Sequence, residues 1–105
     1  MSAVSSKLRK WAGDGKVGFT YWCQGCEQLH GVVVEGPGAW GFNGNLERPT
    51  FTPSVLTTWT EGPQRIEKRC HTFITDGMVQ FLADCTHALA GKTDPLPDLP
   101  EHLRD

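Results

Sequence analysis

The sequence predicts a mainly β fold, a small antiparallel sheet or sandwich built from hairpins. Segments rich in aromatic and β-branched residues recur along the chain, and this composition favours strands. Turn residues separate the segments, most clearly the Asp76-Gly77 pair, because this dipeptide is typical of tight hairpins. A Cys-x-x-Cys pair, Cys23 and Cys26, has the spacing of a zinc knuckle. Little helix is expected.

The first predicted hairpin spans residues 18–35 and carries the Cys-x-x-Cys pair at its tip. Its first strand is GFTYWC (18–23) and its second is LHGVVVE (29–35), since both are dominated by aromatic or β-branched residues. Gly25 stands between the two cysteines and is expected to make the turn.

The remaining predicted strands lie in the second half of the chain. FTPSVLTTW (51–59) has strong β-propensity, but Pro53 cannot donate a ladder hydrogen bond and must lie on an edge, at a strand start or at a bulge. CHTFIT (70–75) and MVQFLA (78–83) flank the Asp-Gly turn and form a second hairpin. CTHALAG (85–91) is expected to provide the one short C-terminal helical turn.

A chain of 105 residues is long enough for one domain with a modest core. We expect a flexible or partly helical N-terminal arm over residues 1–15, because this segment is polar. A single zinc-stabilised β domain is expected over 16–98, followed by a C-terminal tail over 99–105. Prolines at 95, 97 and 100 preclude a regular helix before the last few residues.

Charge and composition exclude some partners and indicate a cellular compartment. A net charge of −2 argues against a module that binds nucleic acid by neutralising phosphates. No apolar run approaches the ~20 residues of a membrane span, and no apolar core of a secretory signal is visible. A cytoplasmic location is therefore expected, the host cytoplasm if a phage encodes the chain. In a reducing compartment, four cysteines are metal ligands or free thiols rather than disulfides.

The hairpin register predicts a structural zinc site. With Asp76-Gly77 at the turn, Cys70 shares one face of the hairpin with Cys85, because side chains alternate along strands. The simplest site therefore combines Cys70 and Cys85 with Cys23 and Cys26. His30 and His87 stay open as alternative fourth ligands, and ordinary burial of Cys70 and Cys85 as small apolar residues is the structural alternative.

The opposite face of the same hairpin carries His71 and Asp84, a base beside an orienting carboxylate. Ser54 is the only serine outside the N-terminal arm, and it follows Pro53, where the backbone is expected to leave regular pairing. An irregular backbone can present a hydroxyl and free N–H groups to an oxyanion, and the Asn43 side chain is a further candidate donor. A turn-forming Ser54 and a purely structural His71 are the alternatives, as is an open metal site that contains His71 and Asp84.

The blocks WCQGC…H, WGFNGNLERPTFTPSVL, CHTFITDGMVQFLADCTHALAG and PLPD together resemble a family of small phage and bacterial proteins often mislabelled as ammonia monooxygenases. The resemblance covers roughly residues 19–98 and extends to the BubE proteins of bacterial ubiquitin-like conjugation operons, which are serine peptidases that process or remove the ubiquitin-like protein. It implies that Ser54 is the nucleophile, His71 the general base and Asp84 the orienting acid, with Asp76 as the second choice of acid.

The resemblance and the site residues together predict a serine peptidase with a structural zinc ion and a protein or peptide substrate, such as a ubiquitin-like protein. The catalytic route would be an acyl-enzyme mechanism. The alternative is a non-catalytic, zinc-ribbon-like phage protein that binds a host factor. Neither nucleic acid nor a membrane is an expected partner, and the sequence does not indicate an oligomeric state.

Overall fold

The computed structural model describes residues 2–104, which form two antiparallel sheets. The first sheet has the strand order β1 (Ser2–Ala3), β2 (Arg9–Gly13), β3 (Lys16–Cys23), β4 (Gln28–Glu35). The second has the order β5 (Gly41–Phe42), β6 (Phe51–Glu61), β7 (Ile66–Thr75), β8 (Met78–Phe81), β9 (Thr93–Pro95). The predicted mainly β class is confirmed. Met1 of the expected arm and Asp105 of the expected tail lie outside the described residues.

Helix is confined to a short segment near the C-terminus. Within residues 2–104 it consists of one 3-10 turn, Glu101–Leu103. No helix in this range has the length and apolar character needed to cross a membrane.

The core lies between the two sheets and follows the alternation of side chains along the strands. Phe19 and Tyr21 of β3 are buried, as are Val79 and Phe81 of β8. Tyr21 stacks on Phe51 of β6 with 6.4 Å between ring centroids. Each sheet therefore has an inner face that supplies the core and an outer face that meets solvent.

The N-terminal segment differs from the expected loose arm, because residues 9–13 pair with β3 from Arg9↔Thr20 to Gly13↔Lys16. The reversal occurs at Asp14 and Gly15, which have φ values of 53° and 74°. These values are typical of two-residue hairpin turns. The polar composition of the segment concealed this second Asp-Gly turn signal from the sequence analysis.

The β7–β8 hairpin has the predicted register, with Thr75↔Met78, Ile74↔Val79 and Thr72↔Phe81 paired. The ladder ends at Phe81, however, and residues 82–86 continue beside β7 without regular pairing. Residues 85–91 form bends and turns rather than the expected helical turn. Their polar groups bond to the backbone of β7 instead of capping a helix.

A bulge interrupts β6 where the sequence predicted irregular backbone. Phe51 pairs with Ile74, and Val55 pairs with Thr72. Three residues of β6 (52–54) therefore lie opposite the single β7 residue between these two partners. Pro53 lies in this bulge, and the Thr52–Pro53 peptide bond is cis. Proline is tolerated there because the bulge does not need its missing N–H group.

Candidate functional site

Ser54, His71 and Asp84 form a chain of hydrogen bonds on the outer face of the second sheet. The Ser54 Oγ lies 2.9 Å from Nε2 of His71. The other ring nitrogen, Nδ1, lies 3.1 Å from the Asp84 carboxylate oxygen Oδ2. An imidazole held in this way can accept a proton from the hydroxyl while the carboxylate stabilises the resulting cation.

Strand geometry brings Ser54 to His71. Leu56 lies directly opposite His71 in the β6–β7 ladder, so Ser54, two residues earlier, projects from the same face. The indole Nε1 of Trp40 donates a hydrogen bond to the Ser54 carbonyl at 3.1 Å. Trp40 therefore fixes the serine backbone at the end of the bulge.

The carboxylate arrives from the irregular segment after β8. Leu82 N–H donates to the His71 carbonyl at 2.9 Å, and Thr86 N–H donates to the Arg69 carbonyl at 2.9 Å. These two bonds fasten the segment on either side of Asp84, which places its side chain against the His71 ring.

Arg69 also contacts the carboxylate, a contact that sequence reasoning did not anticipate. Its Nη1 lies 3.7 Å from Asp84 Oδ2, and its Nη2 lies 3.0 Å from Glu67 Oε1. Arg69 is two residues before His71 on β7 and hence on the same face. This two-residue spacing from His71 was the sequence signal that could have placed a cation near Asp84.

Asp76 and Asn43, two other candidate site residues, bond to groups in turns and loops rather than to the Ser54–His71–Asp84 chain. Asp76, the second choice of acid, forms an ion pair with Arg48 at 3.0 Å, and its N–H donates to Thr50 Oγ1 at 2.7 Å. The Asn43 side chain, proposed as an oxyanion donor, donates to the Arg48 carbonyl at 3.1 Å. Asp76 therefore connects its turn to the loop at residues 43–50, whereas Asn43 stabilises that loop internally.

A second cluster lies on the inner side of β7 and combines Cys23, Cys26, His30 and Cys70. One potential ligand atom from each lies within 4.8 Å of the others. The Cys23 and Cys70 sulfurs are 3.8 Å apart, which matches the separation of about 3.8 Å between two sulfurs that each lie ~2.3 Å from a tetrahedral zinc ion. All four cysteines are free thiols. The donor set and its spacing therefore fit a metal ion.

Electrostatics in this cluster also favour a bound cation. A hydrogen bond from the Cys70 thiol lowers the pKa of Cys23, and the same bond raises the pKa of Cys70. Burial, followed by the charge on Cys23, raises the pKa of Cys26. The Cys23 thiolate is thus stabilised by its neighbours. Because the other sulfurs lie close to it, ionisation of a second thiol is unfavourable unless a cation compensates the added negative charge.

The two histidines that remained open as fourth ligands differ in availability. His30 is buried, and its Nε2 has no hydrogen-bond partner among the described residues. His87 Nδ1 accepts the N–H of Leu89 at 3.2 Å, and its Nε2 lies 3.4 Å from Cys70 Sγ. A neutral ring that accepts at Nδ1 carries its proton on Nε2, so His87 is placed to donate to the sulfur. Of the two ring Nε2 atoms, that of His30 is therefore the more available.

Cys85, the fourth cysteine of the simplest predicted site, lies outside the Cys23–Cys26–His30–Cys70 group. It belongs with His87 to a second group around Cys70, and its sulfur contacts the backbone of His71 at 3.2 Å and 3.3 Å. The structure therefore brings together three of the four predicted cysteines with His30. The difference arises because the chain leaves the ladder at Phe81, before Cys85 can continue the strand.

A family model described as "Bacterial ubiquitination-like system serine protease (BubE)" matches residues 5–82 of the chain. The matched range contains Ser54, His71 and the four members of the candidate metal-binding group, and it ends just before Asp84 and Cys85. No curated protein and no solved structure gives a significant match.

Proposed function

This chain belongs to the BubE family of serine proteases from bacterial ubiquitination-like systems, and we propose that it is a serine peptidase acting through Ser54, His71 and Asp84. The observation that carries the proposal is the pair of contacts on one imidazole ring. The ring lies 2.9 Å from the Ser54 hydroxyl and 3.1 Å from the Asp84 carboxylate. Nucleophile, base and orienting acid are recognised by this mutual geometry rather than by sequence order.

The reaction would proceed in two halves. Ser54 Oγ attacks the substrate carbonyl carbon while His71 Nε2 takes the hydroxyl proton, and the imidazolium then gives that proton to the leaving amine as the C–N bond breaks. In the second half, His71 takes a proton from water, whose oxygen attacks the acyl-serine ester. Departure of Ser54 with that proton restores the free enzyme. Asp84 stays ionised throughout and stabilises the charged ring.

The position of the site suits a polypeptide substrate. The side chains of His71 and Asp84 are 25% and 42% exposed, so a large molecule can reach them without passing through a cavity. Beyond Thr52, no strand lies on the outer edge of β6 in the described part of the chain. An extended peptide can use such an edge for main-chain hydrogen bonds. Given the family, we propose a ubiquitin-like protein or a conjugate of one as the substrate class.

The metal centre would have a structural role with zinc as the ion. Four protein ligands, Cys23, Cys26, His30 and Cys70, would complete a tetrahedron and leave no position for water or substrate. They connect the β3–β4 hairpin to β7 across the core. A zinc ion in this place would therefore fasten the strand that carries His71, and it would not take part in the reaction.

The test is labelling with a fluorophosphonate, which reacts with an activated serine. The metal-loaded parent protein is expected to label, and Ser54→Ala and His71→Ala are expected to abolish labelling because nucleophile or base is lost. Thr58→Ala is the matched control, since Thr58 is an exposed hydroxyl residue on the same face of β6. A folded parent that does not label would support the alternative of a non-catalytic binding protein.

A further inference from the structure

We propose that Cys85 is a positioning residue for His71 rather than a metal ligand, an inference that rests on the proposed function. Its side chain bonds to both main-chain groups of His71. The His71 N–H donates to Cys85 Sγ at 3.2 Å, and the Cys85 thiol donates to the His71 carbonyl at 3.3 Å. Cys85 is 8% exposed, so water competes little for these bonds.

The bonds from Cys85 provide partners for backbone groups of β7 where the strand has no neighbour on that edge. β8 ends at Phe81, and the backbone groups of β7 before Thr72 have no β8 partners. Side chains replace them: the hydroxyl of Thr86 accepts the Arg69 N–H at 2.9 Å, and the thiol of Cys85 performs the equivalent task for His71. Buried backbone groups without such partners would destabilise the fold.

Bonds to His71 on either side of Asp84 hold the Asp84 backbone in place. Leu82 N–H bonds to the His71 carbonyl on one side of Asp84, and Cys85 bonds to the same residue on the other side. The backbone of Asp84 is therefore fixed relative to that of His71, and its carboxylate lies 3.1 Å from the ring. Without the thiol, the segment would keep the Leu82 bond to His71 and the Thr86 bonds to Arg69, but it would lose its direct link to His71 on the C-terminal side of Asp84, and the carboxylate would be free to shift relative to Nδ1.

Hydrogen-bond chemistry separates this role from metal binding. A thiol can accept one hydrogen bond and donate another, and the two contacts with His71 use both capacities. A metal-bound thiolate has no proton to donate. Its sulfur and the His71 carbonyl oxygen, 3.3 Å apart, would then both be hydrogen-bond acceptors and would repel each other. Cys85 therefore cannot hold a metal in this position and keep the arrangement that the structure shows.

The experiment compares Cys85→Ala and Cys85→Ser with the parent in three measurements. Fluorophosphonate labelling rate reports the active site, elemental analysis reports zinc per chain, and ¹⁵N chemical shifts of the His71 ring report which nitrogen carries the proton. For Cys85→Ala we expect retained zinc, a labelling rate roughly 10–100-fold lower because the acid is misplaced, and altered His71 shifts. Cys85→Ser keeps a donor and an acceptor, so its rate and shifts are expected to return most of the way to the parent values.

Two results would overturn the assignment. Loss of zinc from the folded serine or alanine variant would make Cys85 a ligand. Retained zinc with unchanged rate and unchanged His71 shifts in the alanine variant would show that the thiol positions nothing. If the alanine variant does not fold, Cys85→Val, which fills a similar volume without a donor or an acceptor, takes its place under the same criteria. Failure of the proposed function would look different from failure of this assignment. The parent would then not label, yet its His71 ring shifts would still report the His71–Asp84 contact.

Discussion

Cys70 and His71 are neighbours on β7, yet their side chains lie on opposite faces of the sheet and enter different clusters. Cys70 Sγ lies 3.8 Å from Cys23 Sγ in the interior, whereas His71 Nε2 lies 2.9 Å from Ser54 Oγ on the outer face. One short stretch of strand therefore carries both Cys70, a member of the candidate metal-binding group, and the proposed base. A metal ion that holds Cys70 would also limit movement of His71.

Asp84→Asn is expected to reduce the labelling rate by about 10²–10⁴-fold, because an amide neither stabilises the imidazolium nor holds the same tautomer. Asp76→Asn is the matched control, since Asp76 pairs with Arg48 on a turn and its loss should change the rate by less than about threefold. Rates measured on both variants at one pH provide the comparison. Equal loss in the two variants would remove Asp84 from the proposed role.

His30→Ala is expected to lose stoichiometric zinc, whereas His87→Ala is expected to keep it. His30 belongs to the four-residue group, but His87 is oriented to donate to Cys70 Sγ at 3.4 Å. Loss of a structural ion would lower stability by several kcal/mol, and each kcal/mol corresponds to roughly 4–8 °C of Tm in a domain of this size. Elemental analysis and thermal unfolding test the pair. Zinc loss only in His87→Ala would reverse the ligand assignment.

Zinc affinity is expected to rise with pH. Burial raises the pKa of Cys26, and the hydrogen bond with Cys23 raises the pKa of Cys70. Both thiols therefore carry protons in the metal-free protein near neutral pH. Zinc must displace these protons, so affinity should change by up to about 100-fold per pH unit if two are released. Competition with a chelator at pH 6 and pH 8 measures this dependence. Equal affinities at both values would contradict it.

Gly25→Ala is expected to destabilise the protein by about 1–3 kcal/mol, because an added Cβ would overlap the His87 ring. Gly13→Ala is the control, since nothing lies within 4 Å of a Cβ there. Thermal unfolding of both variants gives the comparison. Removing the ring in a Gly25→Ala, His87→Ala double variant should recover part of the loss. A loss that is purely additive would show that the overlap is not its cause.

The sequence predicted the β7–β8 register because Asp76 and Gly77 fix one turn and every later pair follows from alternation. The same alternation correctly separated Cys70 from His71. Gly25 lies in the expected turn at residues 24–27, although the left-handed residue of that turn is Glu27, with φ of 54°. A second role of Gly25 was less accessible: it gives room for the His87 ring, a long-range contact.

The irregular parts of the site were beyond sequence reasoning. Side-chain bonds from Cys85 and Thr86 to β7 have no local pattern, so the chain was expected to continue as a strand or a helical turn. His30 could be named as a possible ligand, but its preference over Cys85 depends on how the first sheet packs on the second. Periodicity predicts which face a residue occupies, whereas contacts between the sheets depend on tertiary structure.

The most direct test of the central claim is the position of the fluorophosphonate adduct, determined by peptide mass spectrometry on the folded, metal-loaded parent. The account predicts one adduct per chain on Ser54, formed through the hydroxyl that lies 2.9 Å from His71 Nε2. Thr58, on the same strand face, should stay unmodified. Absence of an adduct, or its attachment to any residue other than Ser54, would contradict the account.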